Sequence, residues 1–248
     1  MKQTDSPITV RVGKGGQKDA ALSLASRLGV PLSETDGEGL TVLYDASGVS
    51  LTGYGLTYRG DFSEMLRRVT EGRLQHEMLV RAAKTKEEAP TAVDATAGMG
   101  EDSFLLAAAG YSVTLFEQDP VVAALLKDAL RRAKKDPVLR ESAGRMKVIE
   151  GDSVALLPAL PFSPDLIYLD PMFPERQKSG LIGKKLQLIQ KLESPCSEEE
   201  ALLSAALAAN PKKLVIKRPL KGPFLAGKKP DYSIEGKAIR YDCIVIRK

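Results

Sequence analysis

Histidine, cysteine and tryptophan are scarce in this chain, and their scarcity excludes several kinds of site. The 248 residues include one histidine, His76, two cysteines, Cys196 and Cys243, and no tryptophan. A zinc site built from Cys and His, or a catalytic triad that depends on histidine, would have too few residues of the right type. We therefore expect no metal. Two distant cysteines without a CxxC motif are typical of a reducing compartment.

Long apolar runs are also missing. No stretch reaches about 18 uninterrupted apolar residues, the length that a membrane-spanning helix needs. The first 16 residues lack the apolar segment of a secretion signal. The sequence therefore predicts a soluble, cytoplasmic protein without a membrane partner. The net charge of +4 permits nucleic-acid binding without requiring it.

The apolar pattern predicts a small N-terminal α+β domain over residues 1–75, followed by a helical linker over 76–90. In this part, strands are predicted over 8–12, 40–44 and 49–56, and helices over 18–28 and 62–83. From residue 91 to 248, strand and helix patterns alternate, which predicts an α/β domain with a mostly parallel sheet. Its last strands form a hairpin within 232–247, and Ser197 to Glu200 fits the capping box of a helix.

Glycines and carboxylates follow the first three strands of the α/β part. Gly98 and Gly100 lie between a strand that ends near Asp94 and the next helix, where glycine allows a ligand close to the backbone. Glu117 ends the second strand, at a spacing that suits hydrogen bonds to ribose hydroxyls. The pair at 152–153, Asp and Ser, follows the third strand. Together they predict a nucleoside-cofactor site; alone, the glycines also fit an ordinary tight turn.

A dinucleotide is the rival ligand for this loop. Its motif needs a third glycine, and Ser103 occupies that place. Asp94 would also face a bound pyrophosphate, whereas a carboxylate suits the ammonium group of S-adenosylmethionine. The residues therefore favour S-adenosyl-L-methionine as the cofactor.

An acid and an aromatic ring follow the fourth strand, in the stretch Asp170-Pro171-Met172-Phe173-Pro174. Open α/β sheets bind ligands at this edge. Asp170 and the carbonyl of Pro171 can accept hydrogen bonds from the exocyclic amine of a base, and Phe173 can stack on that base. We predict that Asp170 and Phe173 are catalytic. The alternative is a proline-rich turn with a core phenylalanine.

Basic and polar residues continue beyond this stretch. We predict that Arg176, Gln177, Lys178 and Ser179, with Met172 and Phe173, contact an RNA substrate. Lys217 and Arg218, at the end of the next strand, are assigned to the same role because phosphate contacts position RNA. A solvated charged loop is the alternative.

Four runs carry a family resemblance: DATAGMGEDSFLLAAAG, FEQDPVVAALL, YLDPMFPERQKSG and VIKRP. Together they resemble the ribosomal RNA small subunit methyltransferase J family. The resemblance implies a Rossmann-like class I methyltransferase sheet and methyl transfer from S-adenosylmethionine to guanine N2 in 16S rRNA of the small subunit. It also implies cofactor contacts from Glu101, Asp102, Glu117, Gln118, Asp152, Ser153 and Asp170.

Three alternatives remain open at this point. An oxidoreductase with a nicotinamide cofactor is opposed by Ser103 and Asp94. A non-catalytic RNA-binding module on the same fold is opposed by Asp170 and Phe173. A methyltransferase for another RNA or a DNA amine uses the same site residues and is the hardest to separate. Gly13-Lys14-Gly15-Gly16 lacks the spacing of a phosphate-binding loop and predicts a turn.

Overall fold

The computed structural model describes residues 8–171, 188–189, 192 and 198–247. Its N-terminal strands are β1 (Ile8–Val12), β2 (Leu32–Ser33), β3 (Leu40–Asp45), β4 (Gly48–Gly53) and β5 (Leu56–Tyr58). They form one sheet in the order β2-β1-β3-β4-β5. Helix α1 (Lys18–Leu28) buries Ala21, Leu24 and Ala25 in the same apolar cluster as the sheet. Gly29 ends it with φ 69°, so α1 has the predicted bounds of 18–28.

The single strand predicted over 49–56 is wrong, because the chain reverses within it. Tyr54 has φ 52° and Gly55 has φ 71°, and β4 then pairs with β5 in antiparallel register. Two left-handed residues make a tight hairpin turn. Tyrosine is not a residue that usually indicates a turn, so the apolar pattern predicted one continuous strand across this position.

The continuous helix predicted over 62–83 is also wrong. The segment contains two short 3-10 turns (Phe62–Met65 and Leu74–His76) and the helices α2 (Leu66–Val69) and α3 (Met78–Ala83). Gly72 breaks the run with φ 78°. The helical spacing of apolar residues survives the break because Leu66, Leu74 and Met78 pack on the same core.

A second sheet follows. Its strands are β6 (Thr91–Asp94), β7 (Ser112–Glu117), β8 (Met146–Glu150), β9 (Leu166–Leu169), β10 (Lys213–Pro219), β11 (Tyr232–Glu235) and β12 (Ile239–Val245). The helices are α4 (Glu101–Ala108), α5 (Pro120–Ala133), α6 (Arg140–Gly144), α7 (Ser153–Leu156) and α8 (Glu199–Ala208).

The strand order of the second sheet is β11-β12-β10-β9-β6-β7-β8. The pairs among β10, β9, β6, β7 and β8 are parallel, and β12 is antiparallel to β10 and β11. This confirms the predicted α/β class with an antiparallel closing hairpin. Ser197, the first residue of the predicted capping box, lies outside the described residues, so the capping box stays a prediction; Glu198 precedes α8 without a side-chain capping bond.

Side chains of the second sheet alternate between two cores. One face contributes Tyr168, Val215 and Tyr241 to a cluster that includes α3 and α4, while the other packs Ile167 and Leu214 against α8. The N-terminal sheet packs against α5, because apolar side chains of α5 belong to the same apolar cluster as that sheet.

Domain boundaries at residues 75 and 90 stay a prediction. Within the described segments, none of the helices is long and apolar enough to cross a membrane.

Candidate active site

The parallel strands β6, β9 and β10 end at one edge of the second sheet, and their polar side chains share a face there. Asp94 lies opposite Tyr168, and Tyr168 lies opposite Val215. Because side chains alternate along a strand, Asp170 and Lys217, each two residues further on, point to the same side. The alternation thus brings two carboxyl groups and one ammonium group to one place.

Lys217 joins two carboxylates at this edge. Its Nζ donates to Oδ2 of Asp102 at 2.9 Å and to Oδ2 of Asp170 at 2.8 Å. Burial opposes the charge on Lys217, but Asp170 and Asp102 outweigh that effect and raise the pKa of the ammonium group above its usual value. The hydroxyl of Tyr168 donates to the same oxygen of Asp102 at 2.6 Å. We call Asp102, Tyr168, Asp170 and Lys217 the Lys217 cluster.

Sequence reasoning missed Tyr168, which was treated as part of an apolar run. Its side chain is 1% exposed, and burial raises the pKa of its hydroxyl. A buried tyrosine hydroxyl needs a hydrogen-bond partner. Its position two residues before Asp170 was the available signal that it shares the site's face.

Asp170 is also fixed through its backbone. Its N–H donates to the hydroxyl oxygen of Thr96 at 2.7 Å, and the N–H of Ala95 donates to the carbonyl of Tyr168 at 3.1 Å. The loop after β6 is therefore attached to the end of β9, so the glycine loop and Asp170 form one structural unit.

The glycine loop needs its left-handed residues. Gly98 has φ 52° and Gly100 has φ 77°, and a Cβ on Gly100 would lie 2.8 Å from a methyl group of Leu126. The N–H of Ala97 donates to the carbonyl of Phe116 at 3.1 Å. Substitution of Gly100 would therefore strain both the backbone and the packing of α5.

Glu117 closes this loop from the neighbouring strand. Its two carboxylate oxygens accept from the N–H of Gly98 at 2.9 Å and the N–H of Asp119 at 2.8 Å. A carboxylate oxygen has two lone pairs, so it can accept more than one hydrogen bond. The predicted contact with ribose is compatible with this geometry and stays a prediction, as does that of the exposed Gln118.

Asp94 stabilises the glycine loop from its buried side. The side chain is buried, and its carboxyl accepts from the N–H of Thr96 at 3.0 Å and from the hydroxyl of Ser103 at 2.6 Å. Burial raises the pKa of Asp94 to about 7. Ser103, the residue that replaces a dinucleotide glycine, thus has a structural role here. The contact of Asp94 with the cofactor ammonium stays a prediction.

The third strand contributes Asp152 and Ser153. Asp152 is exposed and accepts from the N–H of Val154 at 2.9 Å, which caps α7. The hydroxyl of Ser153 donates to the carbonyl of Ala95. Ser153 therefore ties the end of β8 to the glycine loop, while Asp152 remains accessible for the predicted adenine contact.

The burial of Arg218 opposes its assignment to RNA binding, which stays a prediction. Its side chain is fully buried and donates to Glu199 at 2.9 Å and to the carbonyl of Pro223 at 2.9 Å. Arg218 follows Lys217 on a strand, so it points to the opposite face and holds α8 instead of meeting solvent. Lys217 is engaged by two carboxylates, which leaves its direct contact with RNA an untested prediction.

Several predicted residues lie outside the described residues. They are Met172, Phe173, Pro174, Arg176, Gln177, Lys178 and Ser179. Glu101 begins α4 with an exposed side chain, and its cofactor contact also stays a prediction. In the described segments, no group of three or more His, Cys, Asp or Glu side chains could hold a metal.

The composition of the cofactor half of this edge fits S-adenosylmethionine. The segments 95–102, 117–119 and 151–153 contain carboxylates, hydroxyls and backbone N–H groups, but no lysine or arginine. Such groups suit ribose hydroxyls, an adenine amine and an ammonium group, whereas a pyrophosphate would meet several carboxylates and no positively charged side chain. S-adenosylmethionine carries no phosphate and therefore matches this set of groups.

We expect Glu117→Gln to weaken S-adenosylmethionine binding by about 10–100-fold. An amide presents an NH₂ group to one of the two backbone N–H donors, so the loop loses a hydrogen bond and the ribose loses a charged acceptor. Glu150→Gln is the matched control, since Glu150 lies opposite Glu117 on β8 but pairs with Arg27 and Lys127. Equal calorimetric affinities for both variants would refute the role of Glu117.

Asp94 predicts a pH dependence of stability. Its pKa is about 7 in the folded chain and about 3.9 when unfolded, so the folded state holds the proton more tightly. The free energy of unfolding should therefore fall as pH rises from about 4 to 7. Relative to Asp94→Asn, the wild type should lose about 2–3 kcal/mol between pH 5 and pH 8 in urea titrations. Parallel pH profiles of the two proteins would contradict this.

Comparison with known proteins agrees with this geometry. The family described as putative SAM-dependent methyltransferase matches residues 53–246. A protein of Pseudomonas aeruginosa named ribosomal RNA small subunit methyltransferase J is 39% identical over 94% of this chain and 92% of its own length. A protein of the same name from Thioalkalivibrio sulfidiphilus is 38% identical, over 98% of this chain and 99% of that one.

A solved structure supports the same assignment. The crystal structure of a SAM-dependent methyltransferase from Neisseria gonorrhoeae matches with a TM-score of 0.74 and 32% identity, over 96% of this chain and 95% of that chain. The nicotinamide alternative is therefore wrong. The chain belongs to the ribosomal RNA small subunit methyltransferase J family of S-adenosylmethionine-dependent methyltransferases.

Proposed function

We propose that this chain methylates the exocyclic N2 amine of a guanosine in small-subunit (16S) ribosomal RNA, in the cytoplasm. The observation that carries the proposal is the position of Asp170, at the end of β9 and beside the glycine loop, with Lys217 and Thr96 holding it. The names of the relatives from Pseudomonas aeruginosa and Thioalkalivibrio sulfidiphilus support the choice of small-subunit rRNA.

The residues that would hold the cofactor follow β6, β7 and β8. Glu117 would accept from the ribose hydroxyls, Asp152 from the adenine amine, and the loop at 98–100 would lie against the methionine part. Asp94 would stabilise the ammonium group through the loop. When bound, S-adenosylmethionine supplies an electrophilic methyl group on its sulfonium.

Asp170 would orient the substrate amine. The lone pair of guanine N2 is delocalised into the ring, so the amine is a weak nucleophile. A carboxylate that accepts one N–H, with the carbonyl of Pro171 accepting the other, would hold the nitrogen in line with the methyl group. Asp170 need not remove a proton first, because the nitrogen becomes acidic once it is methylated and cationic and then passes its proton to water.

The Lys217 cluster would set the charge around that nitrogen. Asp102 and Asp170 carry two negative charges and Lys217 one positive charge, so the ion pairs leave a net charge of −1. A fixed negative group stabilises the positive charge that develops on the amine during transfer. Lys217 would meanwhile prevent Asp170 from turning away, because it anchors one of its oxygens.

Methyl-labelled S-adenosylmethionine tests this proposal. Small ribosomal subunits that lack the modification should accept label stoichiometrically, at one site, while large subunits should accept none. Subunits and free 16S rRNA assayed in parallel show which form is the substrate. Labelling of large subunits or transfer RNA instead would contradict the proposed substrate, and binding of small subunits without any transfer would indicate a non-catalytic RNA-binding module.

A further inference from the structure

An open groove of about 380 Å³ lies beside the Lys217 cluster. Volumes of this order accommodate ligands as large as a nucleotide. We call it the Arg73 groove, and the residues that line it include Arg68, Arg73, His76, Glu77, Met78 and Tyr241. Arg73 and His76, which follow the turn at Gly72, line the groove together with Ile239 and Tyr241 of β12.

The groove continues from the proposed reaction centre. Tyr241 lies opposite Lys217 in the register of β10 and β12, and its ring centroid is 6.5 Å from that of Tyr168. The cofactor half of the edge belongs to β6, β7 and β8, whereas the groove adjoins β12 on the other side of Asp170. A substrate base at Asp170 would therefore have the cofactor on one side and the Arg73 groove on the other.

The charges of the groove favour an anion. Nε and Nη2 of Arg68 donate to the two carboxylate oxygens of Glu77 at 2.9 and 2.8 Å, so this arginine is neutralised and held in place. The exposed side chains of Arg73 and His76 make no hydrogen bond or ion pair with any residue of the described segments. Arg73 thus presents an unneutralised guanidinium group, which binds phosphate oxygens in pairs.

We propose that the Arg73 groove binds the RNA strand next to the target guanosine, an inference that rests on the proposed function. Arg73 and His76 would contact the phosphodiester group that flanks the target, and Met78 would contact its ribose or base. The groove would thus anchor the strand while the target base turns toward Asp170. Phosphate contacts of this kind fix the register of a nucleic acid.

Arg73→Gln tests the anchor in the full-length protein. We expect kcat/KM for unmodified small subunits to fall about tenfold, and the slope of log KM against log salt to decrease by about one, as for a single lost phosphate contact. S-adenosylmethionine affinity should not change. Arg140→Gln is the control, since it removes the same charge from an exposed position on α6, which leads into the opposite end of the sheet. Equal kinetics for both variants would overturn the inference.

His76 provides a second readout that does not depend on activity. It is the only histidine in the chain, so its imidazole NMR signals are unambiguous. A short single-stranded RNA should shift them saturably in the wild type and much less in Arg73→Gln, whereas inorganic phosphate at the same phosphate concentration should not. An absent shift, or an equal shift with inorganic phosphate, would overturn the inference. A shift in a protein that transfers no methyl group would contradict the proposed function alone.

Discussion

Asp170→Asn is expected to lower kcat for methyl transfer to small subunits by about 10²–10³-fold. The asparagine keeps the size of the side chain but removes the negative charge beside the proposed position of the reacting nitrogen, and loss of one preorganised electrostatic contact has an effect of this order. Its amide also replaces the acceptor that Lys217 contacts at 2.8 Å. Single-turnover rates at saturating S-adenosylmethionine measure the effect on the chemical step.

The control for this substitution lies just before the same strand. Asp165 precedes β9 at its opposite end, where it accepts from Thr91 and pairs with Lys212. Asp165→Asn removes the same charge and is expected to leave kcat within about twofold, even if the protein unfolds at a lower temperature. An Asp170→Asn rate that equals the Asp165→Asn rate would remove Asp170 from the mechanism.

Lys217→Met is expected to lower kcat by about 10–100-fold. Without the ammonium group, the carboxylates of Asp102 and Asp170 repel each other and Asp170 loses the contact that holds its orientation. The effect should depend on Asp170: in an Asp170→Asn background, Lys217→Met should change the rate much less. A double-mutant cycle measures this coupling directly.

Lys213→Met is the matched control for Lys217. Lys213 lies at the other end of β10 on the same face, and its Nζ donates to the carbonyls of Ala82 and Lys84. The control variant should retain its rate. If the effects of Lys217→Met and Asp170→Asn simply multiply, Lys217 acts on stability or RNA binding and not through Asp170.

The sequence predicted which carboxylates lie at the edge of the second sheet, because their positions follow from local patterns. Asp94, Glu117 and Asp170 each come directly after an apolar strand, and parallel strands bring such positions to one edge. The pairing of Lys217 with Asp102 has no local signal, since it depends on how β10 and α4 pack across a sequence separation of 115 residues. Lys217 and Arg218 were assigned the same role because both are basic. The alternation of side chains along a strand was the available signal that they point to opposite faces.

The Arg73 groove shows a different limit of sequence reasoning. The apolar residues of 62–83 keep a helical spacing because they pack on one core, so the pattern predicts a continuous helix. The turn at Gly72 depends on a single left-handed residue that the periodicity does not reveal. A glycine inside a helical pattern was the available signal, and it marks the segment where the groove forms.

The most direct test identifies the methylated nucleoside. Small subunits that lack the modification are treated with S-adenosylmethionine and either the wild type or Asp170→Asn, and the 16S rRNA is digested to nucleosides for mass spectrometry. The wild type should produce about one new equivalent of N2-methylguanosine per subunit, and the Asp170→Asn variant should produce almost none in the same time. A methylated adenosine or cytidine, a ribose-methylated product, or equal yields from the two proteins would contradict the account.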